Sequence, residues 1–509
     1  MNYSKPVTKL THRAWESVFD IASLSKQFTG MAIGMLIQEG KISTEDDIRK
    51  YLPDFPEYGH TIKVDNLLHH TSGIRDWPTL LLAAGYQFDD VISFDHILSV
   101  IYSQKELNFI PGAEYVYSNS NYNLLVQIME KVTGDSFDQW TKTNIFKPLG
   151  MSNTHFHINH QRLVPGKVDS YLPGIPGTYV NMANNLCAVG SSSLFTTVED
   201  LSKWLINLGT GKIGGQKLIK LMTKRSRLNN GNSVKYGFGI EVSKFKGMDL
   251  WSHTGGWAGF RTFMAYFPEK EFGVIQLANL GSVSPTAKAI EIIDLYYSEK
   301  AEENQPEKDK LKSDFDPFLR SEIEPEIFDD FVGAYELEAQ PGFVLTFTRK
   351  GDNYFTQATG QQKFPIYSSS DSTFFLLVIE VYVTFHRDSD GQVRQITLHQ
   401  NGHLKANRIK VSEEVFDPDP EELLKYTGKF SSEELGTCYV LEVLDEELTL
   451  SHSRGLKLKL SPVHKDSFRA MGTGGEFKFE TNESGDVTGF RLSMMPRTRN
   501  LWFKKVGDR

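Results

Sequence analysis

The sequence is poor in cysteine, with only Cys187 and Cys438 among 509 residues. Because these two lie far apart and are assigned to different domains, they supply neither a disulfide framework nor a cysteine-based zinc site. The sequence also lacks any run of about 18 apolar residues, which excludes a transmembrane helix. Residues 1–15 lack the apolar stretch of a secretory signal. We therefore interpret both cysteines as free buried thiols and expect no membrane span.

Positive charge is in deficit as well. The chain has 55 Lys and Arg residues against 64 Asp and Glu residues, and its formal net charge is -9. A protein whose main partner is nucleic acid needs a basic face, so we expect no nucleic-acid partner. The glycine-rich patterns of nucleotide sites are absent from plausible strand-to-helix junctions. With a nucleic-acid partner excluded, we expect a small-molecule or short-peptide substrate. We also expect catalysis without a metal or nucleotide cofactor.

Residues 1–298 alternate helical and strand-like patterns, which indicates an α+β domain. A largely apolar stretch at 24–40 predicts a helix that ends at a glycine. Thr197 is followed three residues later by an acid, which predicts the start of another helix. Phe260–Phe267 and Phe272–Ala278 are rich in β-branched and aromatic side chains and predict strands.

The second half of the chain contains a repeat. Residues 299–326 are charged and poor in large apolar side chains, which is typical of a linker. Beyond them, matching segments recur at a constant offset of about 95 residues. Each copy consists of short alternating runs broken by turn signals, so we predict two small antiparallel β-barrels, at 327–411 and 420–507. The sequence does not decide whether the copies close separately or share one sheet.

A serine and a lysine stand one helical turn apart near the start of the predicted helix. Ser23 and Lys26 form an S-x-x-K pattern, which places both side chains on one helix face. A serine hydroxyl is a weak nucleophile until a base takes its proton. A lysine amine serves as that base if burial or a neighbouring cation lowers its pKa. The pattern alone is weak evidence, since it is frequent by chance.

Two further motifs strengthen the assignment. Tyr117 and Asn119 form a Y-x-N pattern, and residues 253–255 read H-T-G immediately before a strand. The order S-x-x-K, Y-x-N, [KH]-T-G resembles that of the serine β-lactamases and penicillin-binding proteins. The chain is similar to this family, of the class C β-lactamase, DD-peptidase and D-aminopeptidase type, from about residue 18 to 295. The repeated barrels resemble the lipocalin-like tails of some members. Other segments that match are 67–73, 109–112 and 148–151.

The resemblance implies an antiparallel sheet flanked by helices and a role for each matching residue. Ser23 attacks a carbonyl and forms an acyl-enzyme, Lys26 takes its proton, and Tyr117 shares base duty and protonates the leaving group. The family also implies substrate contacts and an oxyanion hole, whose donors are each worth about 2.7–4 kcal/mol of barrier. The implied substrate-binding residues are Asn119, His253, Thr254 and Gly255, and the implied oxyanion hole consists of the backbone amides of Ser23 and Gly256.

The sequence departs from the family pattern at two places. His253 stands where β-lactamases usually carry lysine, and histidine is only partly charged near neutral pH. This substitution argues against an efficient β-lactamase. In addition, only 22 residues precede Ser23, whereas family members have a longer lead. We expect a chain without that lead to be less stable and prone to associate. The family mostly acts outside the cytoplasm, although this sequence carries no export signal.

Several functions remain open at this stage. Peptidase, D-aminopeptidase and esterase activities are not separated, and the alternative is a non-catalytic protein that binds a ligand or peptidoglycan fragment with the same fold. In a third hypothesis, the barrels bind a ligand independently of the hydrolase domain. The oligomeric state is undetermined. Three histidines, His155, His157 and His160, lack acidic or cysteine ligands at metal spacing, so we predict no metal site. The glycine-rich run 471–475 is interpreted as a hairpin turn rather than a loop that reaches the active site.

Overall fold

A computed structural model of the chain describes residues 14–175, 177–301, 321, 323–338, 343–359, 363–376, 381–399, 403–409, 418–470, 475–494 and 496–507. These residues form a region of helices and sheet followed by two closed β-barrels. The predicted architecture, an α+β domain followed by two repeated antiparallel barrels, is confirmed. No helix of the described ranges is both long and apolar enough to cross a membrane.

The helices lie mainly in the first region. They are α1 (Lys26–Gln38), α2 (Val64–Leu68), α3 (Trp77–Ala83), α4 (Phe94–Tyr102), α5 (Asn119–Thr133), α6 (Phe137–Thr141), α7 (Lys147–Leu149), α8 (Val198–Thr210), α9 (Gly215–Met222), α10 (Pro285–Ala301), α11 (Pro325–Asp329) and α12 (Pro420–Leu423). Shorter 3-10 turns span Ala14–Glu16, Ala22–Ser25, Ile48–Lys50, Pro268–Lys270 and Leu424–Tyr426, and a π-helical turn spans Lys142–Phe146.

The first region contains three sheets. A four-stranded antiparallel sheet has the order β6-β7-β8-β9, a three-stranded sheet has the order β1-β5-β2, and β3 pairs with β4. The strands are β1 (Phe19–Asp20), β2 (His155–Phe156), β3 (Ser170–Pro173), β4 (Tyr179–Met182), β5 (Leu194–Thr196), β6 (Glu241–Phe245), β7 (Met248–Trp257), β8 (Phe260–Phe267) and β9 (Phe272–Ala278).

Helices cover both faces of the four-stranded sheet. Phe263 and Phe267 of β8 point to one face, where they share a core with Ile293 of α10. Met264 and Tyr266 point to the other face and join the main helical core. This alternation follows from the two-residue period of a strand. Strands β8 and β9 have the bounds predicted from the sequence.

The predicted helix at 24–40 needs a correction at its start. A 3-10 turn, Ala22–Ser25, comes first, and regular helix begins at Lys26. Ser23 therefore lies in a tight turn ahead of the α-helix rather than on it. The helix ends as expected, because Gly40 adopts a φ of 71° that favours glycine. Thr197 caps α8 by accepting a hydrogen bond of 3.2 Å from the Asp200 backbone N–H.

Each repeat closes into its own eight-stranded barrel, which answers the question that the sequence left open. The strands run in chain order, β10 to β17 and β18 to β25. Those of the first barrel are Gly333–Leu337, Val344–Lys350, Asn353–Ala358, Phe364–Ser368, Thr373–Phe375, Tyr382–Arg387, Val393–His399 and His403–Ile409. Those of the second are Gly428–Ser432, Thr437–Leu444, Glu447–His452, Lys457–His464, Ser467–Ala470, Glu476–Thr481, Val487–Met494 and Thr498–Gly507.

Aromatic side chains fill the barrel interiors. Phe331 and Phe385 stack at 4.2 Å in the first barrel, and Phe490 and Phe503 stack at 4.8 Å in the second. A small barrel filled in this way has a packed core. The geometry therefore gives no support to a ligand carried inside the barrels.

Three sequence interpretations need comment: the structure alters one of them, and the other two fall partly outside the described residues. Cys187 is buried as expected, but Cys438 is only half-buried, because the side chains of β19 alternate and Tyr439 takes the inward position. The charged segment assigned as a linker begins within α10 and ends within α11, and 302–320 lies outside the described residues, as does 471–474 of the glycine-rich run.

The second barrel docks on the first region through buried polar contacts. Arg75 donates to Glu434 at 2.6 Å, and the Tyr439 hydroxyl donates to the Ala83 carbonyl at 2.5 Å. Arg499 forms two hydrogen bonds with Glu114, at 2.9 and 2.8 Å. These contacts bring Arg497, which immediately precedes β25, to the edge of the cavity described next.

Candidate active site

The motif residues converge on one large cavity of about 1210 Å³. Its wall includes the Ser23 turn, β7, the start of α5 and residues of both barrels. Lys26 and Gly255 are not part of the wall, although Lys26 Nζ lies directly behind it in contact with Ser23 and Asn119. Predicted site residues that line the cavity are Ser23, Tyr117, Asn119, His253, Thr254 and Gly256, and the barrels add Tyr382, His399, His403 and Arg497.

The Ser23 turn is held in a strained conformation by a buried carboxylate. Ala22 has a φ of 49°, which is unfavourable for a residue with a side chain. Its backbone N–H donates to Asp20 at 2.8 Å, and Asn184 donates to the same carboxylate at 2.7 Å. Burial raises the pKa of Asp20 to about 6, against the lowering effect of both hydrogen bonds. Asp20 thus fixes the turn that presents Ser23.

Lys26 is fully buried and makes three short contacts. Its Nζ lies 3.1 Å from Ser23 Oγ, 2.8 Å from Asn119 Oδ1 and 2.7 Å from the Ser191 carbonyl oxygen. Desolvation lowers the pKa of Lys26 well below its usual value. A neutral amine has two N–H groups, which the two carbonyl oxygens accept. The nitrogen lone pair then faces the Ser23 hydroxyl, so the amine can receive its proton.

Tyr117 lies between two basic side chains and a histidine. Lys26 Nζ is 4.9 Å from the centre of its ring, and Arg497 Cζ is 5.1 Å from it. The His70 ring packs on Tyr117 at 4.3 Å. Burial raises the pKa of Tyr117 despite a lowering contribution from Ser23. Within the described residues the phenol makes no hydrogen bond of good geometry, which leaves it available to an incoming group.

Asn119 is fixed by a buried acid that the sequence did not indicate. The Asp76 carboxylate accepts from the Asn119 backbone N–H at 2.6 Å and from its side-chain amide at 3.0 Å. Because Asn119 Nδ2 donates to Asp76, its Oδ1 must face Lys26. Asp76 also accepts from Arg497 at 3.0 Å. One carboxylate therefore links the lysine-bound amide to the second barrel.

His253 is neutral in this site. Its Nδ1 lies 2.6 Å from the Thr254 carbonyl oxygen, and its Nε2 lies 2.8 Å from the Tyr236 hydroxyl. A carbonyl only accepts, so Nδ1 carries the proton and Tyr236 donates to Nε2. Burial and, secondarily, the Lys26 charge lower the pKa of His253 to about 3. His253 therefore provides no positive charge for a substrate carboxylate.

The two glycines of β7 differ in the space around them. A side chain on Gly255 would approach Thr262 Oγ1 at 2.2 Å and the Ile21 carbonyl oxygen at 2.3 Å. Gly256 is open, with Arg261 at 3.8 Å. Gly255 thus lets β7 pack directly against the chain that leads into the Ser23 turn, which brings Gly256 and Ser23 to the same cavity.

Comparison with known proteins identifies the family. The β-lactamase family model matches residues 4–296, more than half of the chain. The chain belongs to the β-lactamase family. A domain of unknown function, DUF3471, matches 320–417. Penicillin-binding protein 4* of Bacillus subtilis (strain 168) is 29% identical over 412 residues, which cover 77% of this chain and 88% of that protein.

Two further proteins match this chain over different fractions of their length. A D-aminopeptidase of Gluconobacter oxydans (strain 621H) is 25% identical over 54% of this chain and 51% of its own length. The solved structure of the octameric penicillin-binding protein homologue from Pyrococcus abyssi has a TM-score of 0.52 and 22% identity, and covers 77% of this chain and 89% of that one. At this identity, the structural likeness concerns the fold.

Sequence reasoning missed four residues of this β-lactamase-family site. His70 lies within the segment 67–73 already matched to the family, and Asp76 follows it by three residues, so their position gave a weak signal. Tyr236 precedes His253 by 17 residues, and only the fold joins them. Arg497 had no sequence signal, because its site partner Asp76 is 421 residues away. His155 and His157, two residues apart, pack against Phe195. The described ranges hold no group of three or more His, Cys, Asp or Glu side chains that could bind a metal ion.

Proposed function

We propose that the protein is a serine hydrolase that acts on a peptide or ester through an acyl-enzyme. The observation that carries this proposal is the contact of 3.1 Å between Lys26 Nζ and Ser23 Oγ. The other two contacts of Nζ are carbonyl oxygens, so a neutral Lys26 has its lone pair directed at the serine proton. A nucleophile beside an oriented base is the arrangement that covalent catalysis requires.

The chemistry proceeds in two halves. Ser23 Oγ attacks the substrate carbonyl carbon while its proton passes to Lys26, and the carbonyl oxygen becomes an oxyanion facing the backbone amides of Ser23 and Gly256. The C–N or C–O bond to the leaving group then breaks. Tyr117, whose raised pKa keeps the phenol protonated, supplies a proton to the departing atom and is reprotonated through Lys26.

Water completes the cycle by attacking the acyl-enzyme. The water proton passes to neutral Lys26, directly or through the Tyr117 hydroxyl, and the ester bond to Ser23 breaks with return of that proton to Oγ. Asn119, Thr254 and the backbone near Gly255 contact the substrate on this proposal. Apart from the substrate and water, every reacting group in these steps is a side chain or backbone amide of the chain.

The substrate class follows from the neutral charge of His253. A β-lactamase-type grip on a carboxylate needs a cation at that position, which the buried imidazole does not supply. We therefore assign DD-peptidase, D-aminopeptidase or esterase-like activity, in line with the D-aminopeptidase among the relatives. Any carboxylate of a DD-peptidase substrate is bound on this proposal by other cations of the cavity wall. Weak turnover of β-lactams is compatible with the site.

A substrate panel tests this proposal. Wild type, Ser23→Ala and Lys26→Met are compared on D-amino acid amides, D-alanyl dipeptides, p-nitrophenyl esters and a chromogenic cephalosporin. We expect turnover of an amide or ester, a loss of at least about a thousandfold in Ser23→Ala and of at least about a hundredfold in Lys26→Met. Tight binding of one of these compounds without turnover would support the non-catalytic alternative.

A further inference from the structure

We propose that Arg497 of the second barrel is a positioning residue that acts through Asp76 and keeps Lys26 able to accept the Ser23 proton. The inference rests on the proposed function and deepens it, because it makes the barrel part of the catalytic machinery.

The contacts form a short relay from the barrel to the nucleophile. Arg497 Nη1 donates to Asp76 Oδ2 at 3.0 Å. The Asp76 carboxylate orients Asn119 by accepting from its backbone and side chain, and Asn119 Oδ1 accepts from Lys26 Nζ at 2.8 Å. The Asp76 side chain has no solvent exposure, whereas that of Arg497 is 25% exposed in the cavity wall. Arg497 therefore supplies a counter-charge to a carboxylate that water does not reach.

The arginine is delivered by fixed backbone contacts rather than by a free arm. Its carbonyl oxygen accepts from the Asp76 backbone N–H at 3.2 Å and from Asn108 Nδ2 at 2.8 Å. The next residue, Thr498, lies 2.5 Å from Thr79 through their hydroxyl oxygens. The barrel connection is thus attached to the same segment that carries Asp76. Such attachment limits the entropy lost when the ion pair forms.

Charge explains why the ion pair matters to Lys26. Burial lowers the pKa of Lys26 most strongly, the Asp76 carboxylate raises it, and the Arg497 guanidinium lowers it. If Arg497 were uncharged, the buried carboxylate would attract a proton to Lys26, and the ammonium form has no lone pair for the serine proton. The titratable and charged groups that face Lys26 are Asp76, Arg497, Tyr117, Tyr122, His70 and His253.

The direct test is a titration of Lys26 by NMR of protein labelled with ¹³C at lysine Cε, with Lys26→Met used to assign the signal. In Arg497→Gln we expect the Lys26 midpoint to rise by about one pH unit relative to wild type. Arg497→Lys keeps the positive charge, so we expect its Lys26 midpoint to stay close to the wild-type value. Arg499→Gln breaks the neighbouring barrel ion pair with Glu114 and serves as the matched control, with no shift expected.

A double variant distinguishes the effect of an unbalanced charge from the effect of a perturbed structure. Asp76→Asn combined with Arg497→Gln removes both charges, and we expect its Lys26 midpoint to return to within about half a pH unit of wild type. The rate at which a fluorophosphonate modifies Ser23 falls at low pH as Lys26 becomes protonated. In Arg497→Gln we expect the midpoint of this fall to move to higher pH by the same amount as the Lys26 midpoint. An unchanged Lys26 midpoint in Arg497→Gln, in a variant whose thermal unfolding is cooperative, would overturn the inference. A wild-type protein that titrates as expected but leaves Ser23 unmodified would instead contradict the proposed function.

Discussion

At the scale of single residues, His253 shows how burial decides chemistry. The imidazole donates through Nδ1 to Thr254 and accepts through Nε2 from Tyr236. Both nitrogens are therefore used in the neutral form, and a second proton on Nε2 would require the Tyr236 hydroxyl to turn from donor to acceptor. The neighbouring Lys26 adds repulsion to the cost of desolvation. The residue type in the third motif thus gives a polar but uncharged surface.

This state of His253 predicts a pH dependence of stability. Its folded pKa of about 3 lies below the ordinary value of 6.5. As the pH falls below 6.5, the unfolded chain takes up a proton that the folded protein refuses, so the free energy of unfolding decreases down to about pH 3. Chemical denaturation of wild type and His253→Gln between pH 7 and pH 4 isolates this contribution, because the other histidines are common to both. Equal pH slopes in the two proteins would contradict it.

Motif residues could be found from the sequence because their chemistry is local in the chain. Ser23 and Lys26 are one turn apart, and their type and spacing already indicate a nucleophile and base. Asp76 and Arg497 act through an ion pair that only the folded chain creates. Nothing in the local sequence of Arg497 distinguishes it from Arg499, two residues later. Sequence reasoning therefore found the reactive groups and missed those that set their charge.

At the scale of elements, β7 must approach the Ser23 turn closely. Thr262 of the paired strand β8 donates to the Ile21 carbonyl oxygen at 3.0 Å, and Gly255 of β7 leaves room for this bond. Any side chain at Gly255 would enter the same space. The glycine of the third motif is therefore explained by packing between a strand and a turn.

A pair of alanine substitutions tests that explanation. Gly255→Ala forces β7 away from the Ser23 turn, and we expect a loss of about 1–3 kcal/mol in the free energy of unfolding. Gly256→Ala has open space and is expected to keep the stability within about 0.5 kcal/mol. Denaturation with urea measures both. Equal destabilisation by the two changes would show that the close approach of β7 is not what requires Gly255.

The docking of the second barrel rests on a buried ion pair. Arg75 has no solvent exposure in its side chain, and its partner Glu434 is 6% exposed. Adjacent Glu433 pairs with Lys105 but is 82% exposed. Removal of Glu434 leaves the buried guanidinium with the half-exposed Glu106 carboxylate at 3.5 Å as its remaining ion-pair partner among the described residues. We therefore expect Glu434→Ala to cost about 3 kcal/mol and Glu433→Ala at most about 1 kcal/mol. Calorimetry checks this, and similar losses in both variants would mean that the docking does not depend on Arg75.

At the scale of the whole molecule, the charge of the cavity opposes that of the chain. The net charge is -9, yet the described lining of the cavity carries five Lys or Arg side chains and two carboxylates. One of those carboxylates, Glu114, is paired with Arg499, and two of the cations, Lys244 and Arg497, are paired with Asp249 and Asp76 outside the lining. The cations of the lining are Arg225, Lys235, Lys244, Lys405 and Arg497.

This charge favours substrates with a negative group away from the reacting carbonyl. For a peptide that the enzyme turns over, we expect the free C-terminal carboxylate form to have a KM about tenfold lower than the amidated form at low salt. The difference should shrink at 0.5 M NaCl because salt screens exposed charges. Steady-state kinetics on the matched pair measures it, and a lower KM for the amidated form would contradict the assignment.

The sequence predicts some features of the overall architecture and not others. The constant repeat offset and alternating runs predicted both barrels, since strand and turn signals are local. The docking of the second barrel was not predicted, because Arg75 and Glu434 are 359 residues apart and no pattern marks either as an interface residue. The contribution of the barrels to the cavity wall follows from that docking and was missed with it.

The central claim is that Lys26 activates Ser23, and intact mass spectrometry tests it most directly. Wild type, Ser23→Ala and Lys26→Met are exposed to a fluorophosphonate at pH 8, and the fraction carrying one adduct is followed over time. We expect a single adduct on wild type that maps to Ser23, none on Ser23→Ala, and formation slowed at least about a hundredfold in Lys26→Met. A folded wild type without an adduct, or equal rates in wild type and Lys26→Met, would contradict the account.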